Sequence, residues 1–143
     1  MFDEAITRLR HINASVDQRP ELSALINARN AVLARYQPIF SPESLPNLSA
    51  SDFQSFLLFK NNRHWTGLHR RGPQLCQDMD GLRAGLLGLH ETSRPIADRF
   101  DAALESVKYL GKGILSAVLH VMYPNLYGVW NRTSEGGLKL LQI

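Results

Sequence analysis

Apolar residues recur at helical spacing along most of the chain, and no segment alternates convincingly with period two. Phe2, Ala5, Ile6, Leu9 and Ile12 mark a first helix. Pro20 suits the first position of a second, where a proline loses no hydrogen bond. Leu22, Leu25, Ile26, Ala28, Val32, Leu33 and Tyr36 then form one stripe, which Pro38 stops. Residues 37–50 hold Pro38, Pro42 and Pro46 among serines and asparagines and read as a surface loop. Ser51 and Gln54 have the spacing of a capping box, opening a helix that carries Phe53, Phe56 and Leu57 and ends near Phe59. Pro73 starts the next helix, lined by Leu75, Met79, Leu82, Leu86 and Leu89, with Gly81, Gly85 and Gly88 as sites of close packing. Ser93 caps a further helix begun by Pro95, with Ile96, Phe100, Leu104 and Val107 inward. Residues 114–122 are a nearly continuous apolar helix, and Thr133 caps a last one carrying Leu138, Leu140 and Leu141. The expectation is an all-α fold, one multi-helix domain over residues 1–143. The sequence ends within its last apolar run, which fits either a module of a larger protein or a short final helix.

Two stretches depart from this amphipathic routine. Residues 109–131 (YLGKGILSAVLHVMYPNLYGVWN) open on a glycine turn, run through the apolar helix and end in a Tyr-Pro turn with Tyr127 and Trp130 behind it. Residues 60–72 (KNNRHWTGLHRRG) are basic, aromatic and poor in helix signals.

Composition narrows the classes. The chain has 143 residues, 44% of them hydrophobic and 20% charged, which is the balance of an ordinary globular domain. Cys76 is its one cysteine, so no internal disulfide can form. No apolar run approaches a membrane span, and no signal peptide opens the sequence. A cytoplasmic, bacterial setting without a membrane partner is expected. The net charge of +3 is modest. Its placement says more: Lys60, Arg63, Arg70 and Arg71 lie with His64 and His69 in a run that holds no acid.

The glycine turn, Gly111-Lys112-Gly113 followed by Ala117, fits the helix-hairpin-helix pattern G-x-G-x-x-x-A. Glycines allow close approach to a phosphate, and the helix that follows offers free N–H groups and its positive dipole end. Lys112 stands where that pattern usually has an apolar residue, and it adds a cation. A plain helix–helix turn is the other reading of the same residues. Tyr123, Pro124, Tyr127 and Trp130 gather ring surface just past a helix end. Tyr123 and Pro124 suit a donor-poor concavity, whereas Trp130 is expected in the core. In the basic stretch, arginine can fork onto guanine or phosphate, and a solvated charge cluster is the alternative. Catalytic signatures are lacking: no nucleophile elbow, no paired carboxylates of a nuclease, and no zinc spacing among His64, His69 and Cys76. Neither a cofactor nor a metal is expected. Helix-hairpin-helix glycosylases carry a catalytic aspartate about where Asn131 stands, and an amide cannot replace it.

HWTGLHRRG paired with LGKGILSAVLHVMYPNLYGVWN resembles the sulfur-binding domains of type IV, modification-dependent restriction endonucleases, over roughly residues 55–135. That resemblance implies recognition of phosphorothioate DNA, in which sulfur replaces a non-bridging backbone oxygen. The family's His-Arg pair falls on His69 and Arg70, its Tyr-Pro pair on Tyr123 and Pro124, and a third pocket wall on Tyr127. The family can carry a small residue at that third position, and a later arginine has no assured counterpart. The DNA-binding residues expected are Arg63, His69, Arg70, Arg71, Gly111, Lys112 and Gly113; those of the sulfur pocket are Arg70, Tyr123, Pro124 and Tyr127. The implied partner is double-stranded DNA bearing a phosphorothioate, with any nuclease in a fused or associated domain. The alternatives are a glycosylase-like repair protein and a protein-interaction domain of a defence system.

Overall fold

Among the described residues, alpha helices account for all the regular structure except three short 3₁₀ turns. The computed structural model describes residues 2–62 and 68–140, the side chains of Phe2 and Asp17 apart. The helices are α1 Phe2–Ala14, α2 Pro20–Tyr36, α3 Ala50–Leu57, α4 Gly72–Leu75, α5 Met79–Gly88, α6 Ile96–Ser106, α7 Lys112–Met122 and α8 Arg132–Leu140. No strand occurs among the described residues, so the fold is all-α, as expected.

Helix α7 is the centre. Seven of its 11 residues are buried, from Ile114 to Leu119 plus Val121. A helix apolar on every side has to be enclosed by others, and α7 packs against α2 and α6. Each fully buried Leu, Ile or Val contributes about 1.5–3 kcal/mol, which makes α7 the strongest single source of cohesion. A cluster of rings belongs to the same core: Phe40 meets Phe56 edge-on at 5.0 Å, and Tyr36 meets Phe56 at 5.1 Å. Helix α1 contributes little. Ala5 is buried, but Leu9 and Ile12 of its apolar stripe are exposed. Along α2, Val32 and Tyr36, both in the C-terminal half, are its buried residues.

Local capping chemistry moves several boundaries. Helix α3 is capped by Ser49, not Ser51: the Ser49 hydroxyl accepts from the Asp52 N–H at 3.1 Å and donates to the Asp52 carboxylate at 2.6 Å. Leu48 and Phe53, the staple positions around that cap, are both in the core. The helix expected from Pro73 onward is two helices. Asp78 interrupts it by capping α5 through the Gly81 N–H at 2.8 Å. Gly81 therefore leaves room for its own cap, since a Cβ there would strike the Asp78 carboxylate. Gly85 does serve close packing, because a Cβ would meet Val107 at 2.7 Å; Gly88 has open space. Helix α6 begins after Pro95, which is extended, and Ser93 bonds to Glu91 instead of capping. Helix α8 is capped by Asn131 rather than Thr133: Asn131 Oδ1 accepts from the Ser134 N–H at 2.9 Å, and the Asn131 N–H donates to the Ser134 hydroxyl at 3.0 Å.

The path after α7 positions the site. Residues 124–131 turn back and run antiparallel along α7. The Tyr127 carbonyl meets His120, the Trp130 N–H donates to the Ser116 hydroxyl at 2.8 Å, and the Trp130 carbonyl lies 3.4 Å from where a Gly113 Cβ would stand. The strap therefore passes close over the first turn of α7.

Candidate nucleic-acid interface

The basic stretch is held at both ends. On the incoming side, Asn61 donates to the Ser55 carbonyl at 2.8 Å and accepts from Arg35 at 3.0 Å. Asn62 is buried, and its side-chain amide has no partner among the described residues. On the outgoing side, residues Leu68–Arg71 form a 3₁₀ turn. Leu68 packs against the core, and Gly72 and Leu75 are buried beyond the turn. A Cβ on Gly72 would lie 3.1 Å from the Gln54 side chain, so the turn sits close against α3 and a larger residue would make Gln54 shift. Between these apolar anchors His69, Arg70 and Arg71 are exposed. Arg71 makes a long bond of 3.4 Å to Gln74. Arg63, with His64 and Trp65, lies outside the described residues.

The glycine turn places Gly111 and Lys112 on the surface and Gly113 half-buried under the strap. Gly111 has ordinary extended geometry, with φ −104°. The left-handed residue of this turn is Tyr109, at φ 68°. An α-helix rises about 1.5 Å per residue, so α7 separates the glycine end from the Tyr-Pro end by about 16 Å.

At that far end several polar atoms are already engaged. The Tyr123 hydroxyl meets His90 Nδ1 at 2.8 Å, and His90 Nε2 meets the Phe40 carbonyl at 2.9 Å. A carbonyl only accepts, so Nε2 carries the proton of the neutral ring and the phenol donates to Nδ1. Arg29 donates to the Pro124 carbonyl at 3.4 Å and through Nε to His120 Nε2 at 3.2 Å. Guanidinium only donates, so His120 Nε2 accepts and its Nδ1–H donates to the Tyr127 carbonyl at 2.7 Å. The Tyr127 N–H is taken by the Tyr123 carbonyl at 3.2 Å, and proline has no N–H. The Tyr123 and Tyr127 rings meet edge-on at 6.0 Å and 83°. Tyr123 and Pro124 thus present ring carbon without a free donor, and Tyr127 adds its ring beside them.

The strap gathers two of the predicted regions. Tyr127 of the strap and Lys112 at the start of α7 line one groove of about 530 Å³ with Phe100, Leu119, Leu126 and Trp130. Tyr123 and Pro124 are not on its lining. Trp130 is half exposed there, at 52%, and does not fill the core as expected. The incoming end of the basic stretch also reaches the strap: Asn62, Arg29, His120 and Val129 line one void of about 10 Å³. Sequence reasoning missed Arg29, His90 and His120. Their role depends on tertiary partners far apart in the chain, and no local spacing announces it.

Among the described residues no group of three or more His, Cys, Asp or Glu could hold a metal, and no helix is long and apolar enough to cross a membrane. The Cys76 thiol is pushed above its ordinary pKa by burial, against a smaller opposing effect of its hydrogen bond with Gln54. No protein-family model, curated protein or solved structure matches this chain.

Proposed function

We propose that the domain binds double-stranded DNA and recognises a phosphorothioate linkage in its backbone. It has no catalytic activity of its own and directs a nuclease held in a fused or partner domain. The observation that carries this reading is the commitment of the polar atoms of the Tyr-Pro turn: the Tyr123 hydroxyl to His90, the Pro124 carbonyl to Arg29 and the Tyr127 carbonyl to His120. A phosphate oxygen against the Tyr123 ring and Pro124 gives up water without gaining a donor from either, which is unfavourable. Sulfur is larger, softer and less dependent on hydrogen bonds. The surface would discriminate partly by rejecting the ordinary backbone.

Affinity would come from cations on neighbouring phosphates. His69, Arg70 and Arg71 project from a turn fixed on α3, and Lys112 stands with the free N–H groups at the start of α7. Arg70 would reach the modified linkage and join Tyr123, Pro124 and Tyr127 in enclosing the sulfur. The resemblance of residues 55–135 to sulfur-binding domains supports the same assignment. A glycosylase-like reading has less support, because Asn131 stands in the place of the catalytic carboxylate and its side-chain oxygen caps α8. The test is a paired titration of a phosphorothioate duplex and its unmodified twin.

A further inference from the structure

Tyr109 is the one non-glycine residue with positive φ among the described residues, at 68°. It is the third residue of the turn over residues 107–110, closed by the Leu110 N–H on the Val107 carbonyl at 3.1 Å. Turns with positive φ at this position favour glycine or asparagine, since a larger side chain crowds its own backbone. Burial does not compensate. Val107 and Leu110 on either side are buried, at 4% and 7%, while Tyr109 is 44% exposed. The fold holds a bulky ring in an unfavourable conformation and leaves it in solvent. Such outliers persist where the side chain serves a ligand.

The surroundings indicate which ligand. Lys108 Nζ lies 5.0 Å from the ring centroid of Tyr109. Lys112 is exposed three residues on, and around Gly111 the surface is open, with nothing within 4 Å of where a Cβ would stand. Glu105 is the one acid between Ala102 and Ser134 in sequence, while in space Asp78 lines a pocket with Lys108 and Tyr109, and Asp101 lines a groove with Lys112. An exposed flat ring beside one ammonium group, with a second exposed lysine three residues on, matches a polyanion built from flat, apolar units, which is nucleic acid. An acidic protein surface would engage the lysines and gain nothing from the ring.

We propose that Tyr109 is a DNA-contacting residue, its ring laid against the sugars or bases of the strand whose phosphates are met by Lys108 and Lys112. This rests on the DNA-binding reading and adds a residue to it. The experiment compares wild type with Tyr109→Gly and Tyr109→Phe, measuring thermal melting and affinity for a short unmodified duplex. Tyr109→Gly should raise the melting temperature by relieving the backbone, yet weaken binding about tenfold, the scale of one lost stacking contact. Tyr109→Phe should match wild type in both. Duplex binding by Tyr109→Gly as tight as wild type would overturn the inference and leave the DNA reading standing. A lowered melting temperature for Tyr109→Gly would assign the ring to packing and overturn it too. Failure of wild type to bind any duplex would remove the DNA reading, and this inference with it.

Discussion

The phenol of Tyr123 donates to His90 Nδ1 at 2.8 Å, joining the end of α7 to the end of α5 through a bond that spans 33 residues of sequence. Because His90 Nε2 is bonded to the Phe40 carbonyl, the phenol is held by a histidine that is itself fixed. Tyr123 offers a ligand its ring and not its hydroxyl. Tyr123→Phe should therefore keep the preference for sulfur while losing about 1 kcal/mol of stability for one half-buried hydrogen bond. That corresponds to a fall of roughly 3 °C in melting temperature. Tyr123→Ala should abolish the preference and weaken DNA binding much less. Equal losses on modified and plain duplexes from Tyr123→Ala would contradict the pocket.

The 3₁₀ turn at Leu68–Arg71 separates anchoring from charge, with Leu68 and Gly72 inward and His69, Arg70 and Arg71 outward. Arg70→Ala should leave folding intact and weaken binding to both duplexes. Removing one phosphate contact should also flatten the slope of log affinity against log salt by about one unit. An unchanged slope would place Arg70 away from the backbone.

Besides a long bond of 3.5 Å to its neighbour Asn30, Arg29 serves His120 Nε2 and the Pro124 carbonyl. Arg29→Ala frees both in a half-buried setting and should cost about 1–3 kcal/mol. With the strap loosened, the preference for sulfur should fall more than affinity for plain duplex. Melting and the two affinities measured on one preparation would show whether Arg29 positions the strap or only stabilises the domain.

Burial raises the pKa of Cys76, so at a given mildly alkaline pH less thiolate is present than on a free cysteine. Alkylation by iodoacetamide should be slow in the native protein. Its pH profile should rise at higher pH than that of the unfolded chain. A native profile displaced to lower pH would contradict the burial of this thiol.

Elements whose cause is local were legible in the sequence. Helix α7 is apolar all round, Pro20 is fixed at the start of α2 by its ring, and both are where the pattern put them. Boundaries failed where two capping groups competed. Ser49 prevailed over Ser51 because Asp52 completes its reciprocal bond, and Asn131 prevailed over Thr133 because Ser134 completes its own. Asp78 interrupted an apolar stripe that periodicity alone carried across it. The path of the strap was not legible. It depends on Ser116 and His120 bonding to main chain 14 and seven residues further on. That is also why Trp130, an aromatic that composition assigns to the core, lies on the rim of the groove.

The most direct measurement is the affinity of the wild-type domain for one short duplex carrying a single phosphorothioate of Rp configuration, beside its unmodified twin, at two salt concentrations. A preference of about tenfold or more for the modified duplex, equal to about 1.4 kcal/mol, is expected, with both affinities falling as salt rises. Equal, salt-sensitive binding of the two duplexes would contradict sulfur recognition and leave a general DNA-binding domain.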